Sequence, residues 1–197
     1  MDSKMSLNTL KAGDIGLSKN DRWLSKVIIW MESRWTGKAN FSHVYAVIGD
    51  GFIVEAISKI KKNRFVKYDN QATDIYRIPL SDKERESFRV CMLNRVGGAY
   101  GWFKYPGFVL DATFSGFKRL FGFKKPCFLF SKVMGFSNIP VCSQLVVWGV
   151  HEATSYRFKD MGNEVNWRSV NPDRFEDLLK RTENKAELIY SHKRSKA

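Results

Sequence analysis

Apolar and polar positions from Phe41 to Ile57 fall into two short runs, Phe41-Ser42-His43-Val44-Tyr45-Ala46-Val47-Ile48 and Phe52-Ile53-Val54-Glu55-Ala56-Ile57, broken by Gly49-Asp50-Gly51. Runs of this length, rich in Val, Ile, Tyr and Phe around a Gly-Asp-Gly break, predict a β-hairpin. A three-residue loop over Gly49, Asp50 and Gly51, with Gly51 at positive φ, sets Tyr45 opposite Glu55. His43 lies two residues from Tyr45, so it shares that face and sits diagonal to Glu55. A two-residue loop shifts the register by one and turns Glu55 away. A meeting of His43 and Glu55 therefore needs the longer loop.

The same pattern organises the rest of the chain. Gly13-Asp14-Ile15-Gly16-Leu17 predicts a short opening strand after a polar leader over residues 1–12. Asp21 is placed to cap a helix through about Arg34, with Trp23, Val27, Trp30, Met31 and Arg34 recurring at three- and four-residue steps. Arg64–Tyr68 and Thr73–Ile78 are further expected strands, and the cationic stretch from Ile57 to Arg64 is expected to be a solvated loop or sheet edge. Ser81 with Glu84 matches a capping box opening a helix to about Val96, with Phe88, Met92 and Val96 as its apolar stripe and Gly97-Gly98 as its stop. Pro140 precedes the mostly apolar run from Val141 to Val150, which predicts a buried helix. Asn171-Pro172-Asp173 opens a short one to Leu179, and residues 191–197 are expected to be a basic tail.

With 197 residues the chain is long enough for one domain with a substantial core, here bounded at 13–190, and 44% hydrophobic residues argue against disorder. The fold class expected is α+β, a small antiparallel sheet packed against helices. Between Phe103 and Ile139 the sequence is rich in Phe, Gly and Lys and reads as an insertion; Leu110, Phe114, Phe117 and Phe121 share one helical face, which fits a docked helix or a wall for an apolar substrate. The formal charge of +13 favours an anionic partner: nucleic acid, anionic lipid or an acidic envelope polymer. No nucleic-acid motif accompanies it. Residues 1–14 lack the apolar core of a secretory signal, and no apolar run reaches the roughly 20 residues of a bilayer span. A cytoplasmic protein is the expectation, with phage or viral origin open. Three widely spaced cysteines, Cys91, Cys127 and Cys142, suggest neither a disulfide framework nor a paired metal site. No cofactor is called for.

Cys142 opens the buried helix, where the dipole and free N–H groups favour a thiolate and its own N–H can help hold an oxyanion. His43 is the candidate base, and Glu55 the group that orients it. His151 falls nine positions after Cys142, on the opposite side of that helix, and His192 lies in the tail, which leaves His43 as the good base by elimination. A cysteine at a helix start is more often structural than reactive. A carboxylate on a strand as apolar as Glu55's, however, needs a partner. Tyr45 and Ser143, the neighbours of these groups in sequence, are candidate substrate or oxyanion residues. The sequence by itself does not bring Cys142 to the hairpin.

The order of these pieces resembles the circularly permuted NlpC-type, papain-like cysteine hydrolases, in particular their YiiX-like bacterial and viral branch. The resemblance rests on the Gly13-Asp14-Ile15 strand, Ser42-His43-Val44, Val54-Glu55-Ala56, Cys142-Ser143-Gln144-Leu145-Val146 and Asn171-Pro172-Asp173, over most of Leu10 to Leu179. It implies a papain-like α+β fold in which the histidine strand precedes the cysteine helix. It also implies Cys142 as nucleophile, His43 as base and Glu55 as third member. Gly98-Ala99-Tyr100-Gly101 is similar to the family's Gly-x-x-Tyr segment, which implies Tyr100 near the site. The wider family includes peptidoglycan peptidases and lipid acyltransferases of the lecithin–retinol type. The expected activity is thus a thiol amidase, peptidase or acyltransferase acting on a cell-wall peptide or related amide or ester. The alternative is a catalytically silent basic module that binds membrane or nucleic acid.

Overall fold

Alternate side chains of the hairpin enter two different cores, one on each face of the sheet. The computed structural model describes residues 9–19, 25, 26, 29, 30, 33, 40–68, 71–99, 141–170 and 172–192. In chain order these form β1 (Asp14–Lys19), β2 (His43–Gly49), β3 (Phe52–Ala56), β4 (Ile60–Arg64), β5 (Ala72–Arg77), α1 (Asp82–Leu93), α2 (Cys142–Ala153), β6 (Lys159–Asp160), β7 (Asn163–Glu164), α3 (Pro172–Lys180) and β8 (Glu187–His192). Six strands make one antiparallel sheet in the order β4-β3-β2-β1-β5-β8, and β6 and β7 form a separate ribbon. Val44, Ala46 and Ile48 of β2 and Val54 and Ala56 of β3 join Phe88, Met92, Leu145, Val146 and Val150 in the main core. Tyr45, Val47 and Ile53 face the other way and pack with Leu10, Phe65, Tyr68 and Ile75 in a smaller outer cluster. Helix α2 lies against β2 and α1 and is buried along most of its length, as its nearly all-round apolar sequence requires.

The hairpin keeps the expected register by a different route. Tyr45 does pair with Glu55, yet Gly49 pairs with Phe52, so the turn itself has two residues, Asp50 and Gly51, both at positive φ (55° and 71°). That is the signature of a type I′ turn. A bulge between Val47 and Gly49, with Gly49 at φ 87°, inserts the extra residue that returns Glu55 to the face of Tyr45.

Other boundaries moved. Phe65–Tyr68 is a 3-10 turn, not a strand. Three residues per turn put Phe65 and Tyr68 on one side, where both enter the outer cluster; strand alternation would have split them. The strand lies just upstream, where Ile60–Arg64 forms an edge whose Lys62 and Arg64 are exposed, a place where lysines are tolerated and deter further pairing. Helix α1 has the full Ser81–Glu84 capping box but stops at Leu93, leaving Val96 exposed beyond it. Ser191 and His192, expected in a tail, complete β8 against β5, and residues 193–197 lie outside the described ones. Ser25, Lys26, Ile29, Trp30 and Ser33 are helical as expected, while the Asp21 cap lies outside the described residues. So do the Phe-rich stretch 103–139, Cys127 and Tyr100. Among the described residues no helix is long and apolar enough to cross a membrane.

Candidate active site

Three elements converge on one imidazole. His43 is the first residue of β2, and its side chain is 13% exposed. Its Nε2 lies 2.9 Å from Oε2 of Glu55, on the neighbouring strand β3. Cys142, the first residue of α2, lies close enough to the same ring that its hydrogen-bonding and charge help raise the imidazole pKa, and Nδ1 is the ring nitrogen that Glu55 does not use. Cys142 belongs to the helix-side core, whereas Glu55 shares the outer face with Tyr45. His43, at the end of its strand, thus links the two layers.

Glu55 has no side-chain exposure. A carboxylate buried that deeply costs several kcal/mol unless it is paired and hydrogen-bonded. Here it is. Oε2 accepts from His43 and from the Tyr68 hydroxyl, and Oε1 accepts from the Asn63 amide and the Lys67 ammonium. Burial alone would raise the pKa of Glu55, but the hydrogen bond and charge of His43, with help from Lys67 and Tyr68, bring it down to about 2. Burial likewise opposes charging His43, and the hydrogen bonds and charges of Cys142 and Glu55 outweigh it, raising that group to about 9. For Tyr68, burial and the adjacent Glu55 charge push the phenol far up, so it remains a neutral donor. At neutral pH the cluster holds an imidazolium with the Glu55 carboxylate on one side and Cys142 on the other.

The helix that presents Cys142 is anchored at its start by side chains rather than by a capping residue. Val141, the cap, has no side-chain acceptor, but its N–H donates to Oε1 of Gln144 at 3.3 Å, and the Gln144 amide donates to the Arg168 carbonyl at 2.7 Å. Ser143, fully buried, donates its hydroxyl to the Val170 carbonyl at 2.8 Å. The chain after β7 therefore holds the first turn of α2 in place, and the Ser143 hydroxyl is committed to that task. Its backbone N–H, like that of Cys142, belongs to the first turn, whose donors have no partner within the helix.

Tyr45 is fully buried and stacks on Tyr68, with ring centroids 4.4 Å apart. It lies over Gly16 of β1, where a Cβ would sit only 2.0 Å from its Cζ. Its place is in the outer core, behind the Tyr68 ring that reaches Glu55. Tyr100, implied by the family resemblance, lies outside the described residues. His151 accepts a hydrogen bond from the Phe158 N–H at 3.2 Å, and burial together with Arg157 keeps it below the ordinary imidazole range, as suits a neutral packing residue near the far end of α2. Cys91 is half-buried, and burial pushes its thiol up. Asn63, Lys67 and Tyr68 were not legible as site residues. Their contribution depends on the edge strand, which the sequence leaves open between loop and edge, and on the 3-10 turn, where the sequence pattern predicts a strand.

Among the described residues no group of three or more His, Cys, Asp or Glu side chains is arranged to hold a metal ion. No family model matches the chain, and no curated protein matches it. Among solved structures it is similar to the metalloprotein YiiX from Escherichia coli O157:H7, with 15% sequence identity and a TM-score of 0.51, covering 76% of this chain and 69% of that one. At that identity the likeness concerns the fold. The chain has a YiiX-like, papain-like α+β fold.

Proposed function

We propose that this protein is a cysteine-dependent acyl-transfer enzyme, a hydrolase of amides or esters, with Cys142 as nucleophile, His43 as base and Glu55 as the residue that orients it. The observation that carries this reading is the position of His43 between the Cys142 thiol and the Glu55 carboxylate. A charged imidazole beside a cysteine at a helix N-terminus is the setting in which thiolates form. The thiolate attacks the carbonyl carbon, and first-turn N–H groups, those of Cys142 and Ser143, are the donors at hand for the developing oxyanion. The imidazolium gives its proton to the departing amine or alcohol, leaving a thioester on Cys142. Neutral His43 then takes a proton from water, or from another acceptor, which attacks the thioester and frees the thiol. Glu55 keeps the ring turned so that one nitrogen serves the sulfur throughout.

The sequence order, with the histidine strand ahead of the cysteine helix, supports the permuted NlpC-type branch of this chemistry. A cell-wall peptide or related amide fits the +13 charge, which would favour an anionic envelope polymer. The YiiX neighbour is described as a metalloprotein. The described residues of this site do not fit a metal: Glu55 already receives four donors, one of them an ammonium, and it occupies Nε2 of His43. The steps above use none.

The test is direct trapping of the acyl-enzyme. Incubation with a p-nitrophenyl acyl ester, followed by peptide mass spectrometry, should find the acyl group on Cys142, with no adduct there in Cys142→Ala. Release of p-nitrophenol with no adduct on Cys142, or an adduct confined to Cys91, contradicts the assignment.

A further inference from the structure

The outer end of this site is more heavily built than orienting a histidine with one carboxylate requires. Glu55 alone, with no exposure, could accept from His43 and leave three lone pairs to other donors. Those positions are filled from β4 and the 3-10 turn: Asn63 and Lys67 on Oε1, Tyr68 on the same Oε2 that His43 uses. Tyr68 makes a second contact. Its ring lies nearly parallel to the imidazole, 13° between planes and 6.2 Å between centroids, and it is itself backed by Tyr45. The Lys67 ammonium lies 5.5 Å from the Tyr68 ring centre, so the two neighbours in sequence support each other while both reach Glu55. Phe65, buried at the start of the same turn and held by its N–H to the Gly51 carbonyl at 2.8 Å, ties the turn to the hairpin that carries both His43 and Glu55.

We propose that Lys67 and Tyr68 are positioning residues: delivered by one 3-10 turn, they fix Glu55 as a carboxylate and aim its Oε2 at Nε2 of His43, so that Nδ1 faces Cys142. This rests on the catalytic reading above and adds to it the device that keeps the orienting group charged and still. Lys67 supplies the opposing charge. Tyr68 supplies a hydroxyl that fixes the oxygen and a ring that limits rotation of the imidazole. A single neutral donor would supply only one of these constraints.

The variants that separate these roles are Tyr68→Phe, which keeps the ring and removes the hydroxyl, and Lys67→Met, which keeps the stem and removes the charge. Lys67 is 38% exposed, so the second remains informative should the buried Tyr68 variant fold poorly. Carbon-13 titration of the Glu55 carboxyl should move from about 2 toward the ordinary 4.5 in each variant. The downfield proton of His43 Nε2–H should weaken through faster exchange with water, and iodoacetamide labelling of Cys142 at pH 5 should slow about ten- to a hundredfold, in keeping with loss of a hydrogen bond to a charged group. Circular dichroism should be unchanged. A Glu55 titration and an Nε2–H signal identical to wild type in both variants overturn the proposal. Failure of the catalytic reading is a separate result, seen in the wild type as Cys142 labelling no faster than Cys91, because the Glu55 and His43 signals report on the cluster whether or not the thiol is reactive.

Discussion

The imidazole of His43 lies 2.9 Å from the Glu55 carboxylate, although the residue that faces Glu55 across the ladder is Tyr45. The contact is diagonal, and it exists because a bulge beside Gly49 restores the register that the two-residue Asp50-Gly51 turn would otherwise lose. Without the bulge, the same turn would set Ala46 opposite Glu55 and turn the carboxylate into the helix-side core as an unpaired charge. The site and the turn are thus one structural unit.

Removing the charge of Glu55 while keeping its size should expose how much of the behaviour of His43 depends on it. In Glu55→Gln the imidazole loses a carboxylate partner, so its pKa should fall from about 9 toward 6.5, as read by proton NMR. The new amide also turns an NH2 group toward donors such as Asn63 and Lys67, and the resulting mismatch should lower stability by about 1–3 kcal/mol. An unmoved His43 titration would mean that the thiol alone sets the charge of the ring.

The same pair predicts a stability optimum. His43 is raised in the folded protein, so its contribution is complete below about 6.5 and is lost as pH rises through about 9. Glu55 is depressed, so its contribution is complete above about 4.5 and is lost as pH falls toward 2. Between about pH 4.5 and 6.5 both are fully present. Thermal unfolding followed from pH 3 to 10 should show a plateau there, and His43→Ala should flatten the alkaline decline; an alkaline limb of equal steepness in the variant contradicts the assignment.

Gly16 is predicted to be irreplaceable by even one methyl group. A Cβ there would overlap the Tyr45 ring at 2.0 Å, and Tyr45 backs Tyr68, which holds Glu55. Gly16→Ala should therefore cost about 1–3 kcal/mol through overpacking and also slow Cys142 labelling, although residue 16 touches neither His43 nor Cys142 directly. Chemical denaturation and alkylation rates measured on the same sample check both halves.

Ser143 offers the opposite outcome. Its hydroxyl donates to the Val170 carbonyl and is buried, so Ser143→Ala should cost about 1 kcal/mol in unfolding free energy while acylation at Cys142 persists. A large loss of acylation with stability intact would instead assign the hydroxyl to the oxyanion.

Much of this was written in the hydrophobic pattern. The hairpin, the Tyr45–Glu55 register, the Ser81–Glu84 capping box and the buried Cys142 helix follow from periodicity and turn residues. Periodicity failed where tertiary contacts decide. Ile57–Arg64 reads as either a solvated loop or a sheet edge, and periodicity does not choose between them, because an edge strand tolerates Lys61 and Lys62 without needing an apolar face. Strand β8 has too weak an alternation to stand out, with Leu188 about half exposed, and it forms because β5 offers an open edge. Lys67 and Tyr68 escaped notice for a related reason. As a strand, adjacent residues point to opposite faces; only the 3-10 turn lets both reach one carboxylate.

The most direct test of the account is the pH dependence of iodoacetamide alkylation at Cys142 and Cys91, measured by peptide mass spectrometry in wild type and His43→Ala. The account predicts that Cys142 reacts selectively well below the ordinary thiol pKa of about 8.5, and that His43→Ala abolishes this advantage. Equal reactivity of the two cysteines in the wild type, or selective labelling of Cys142 that survives loss of His43, would contradict it.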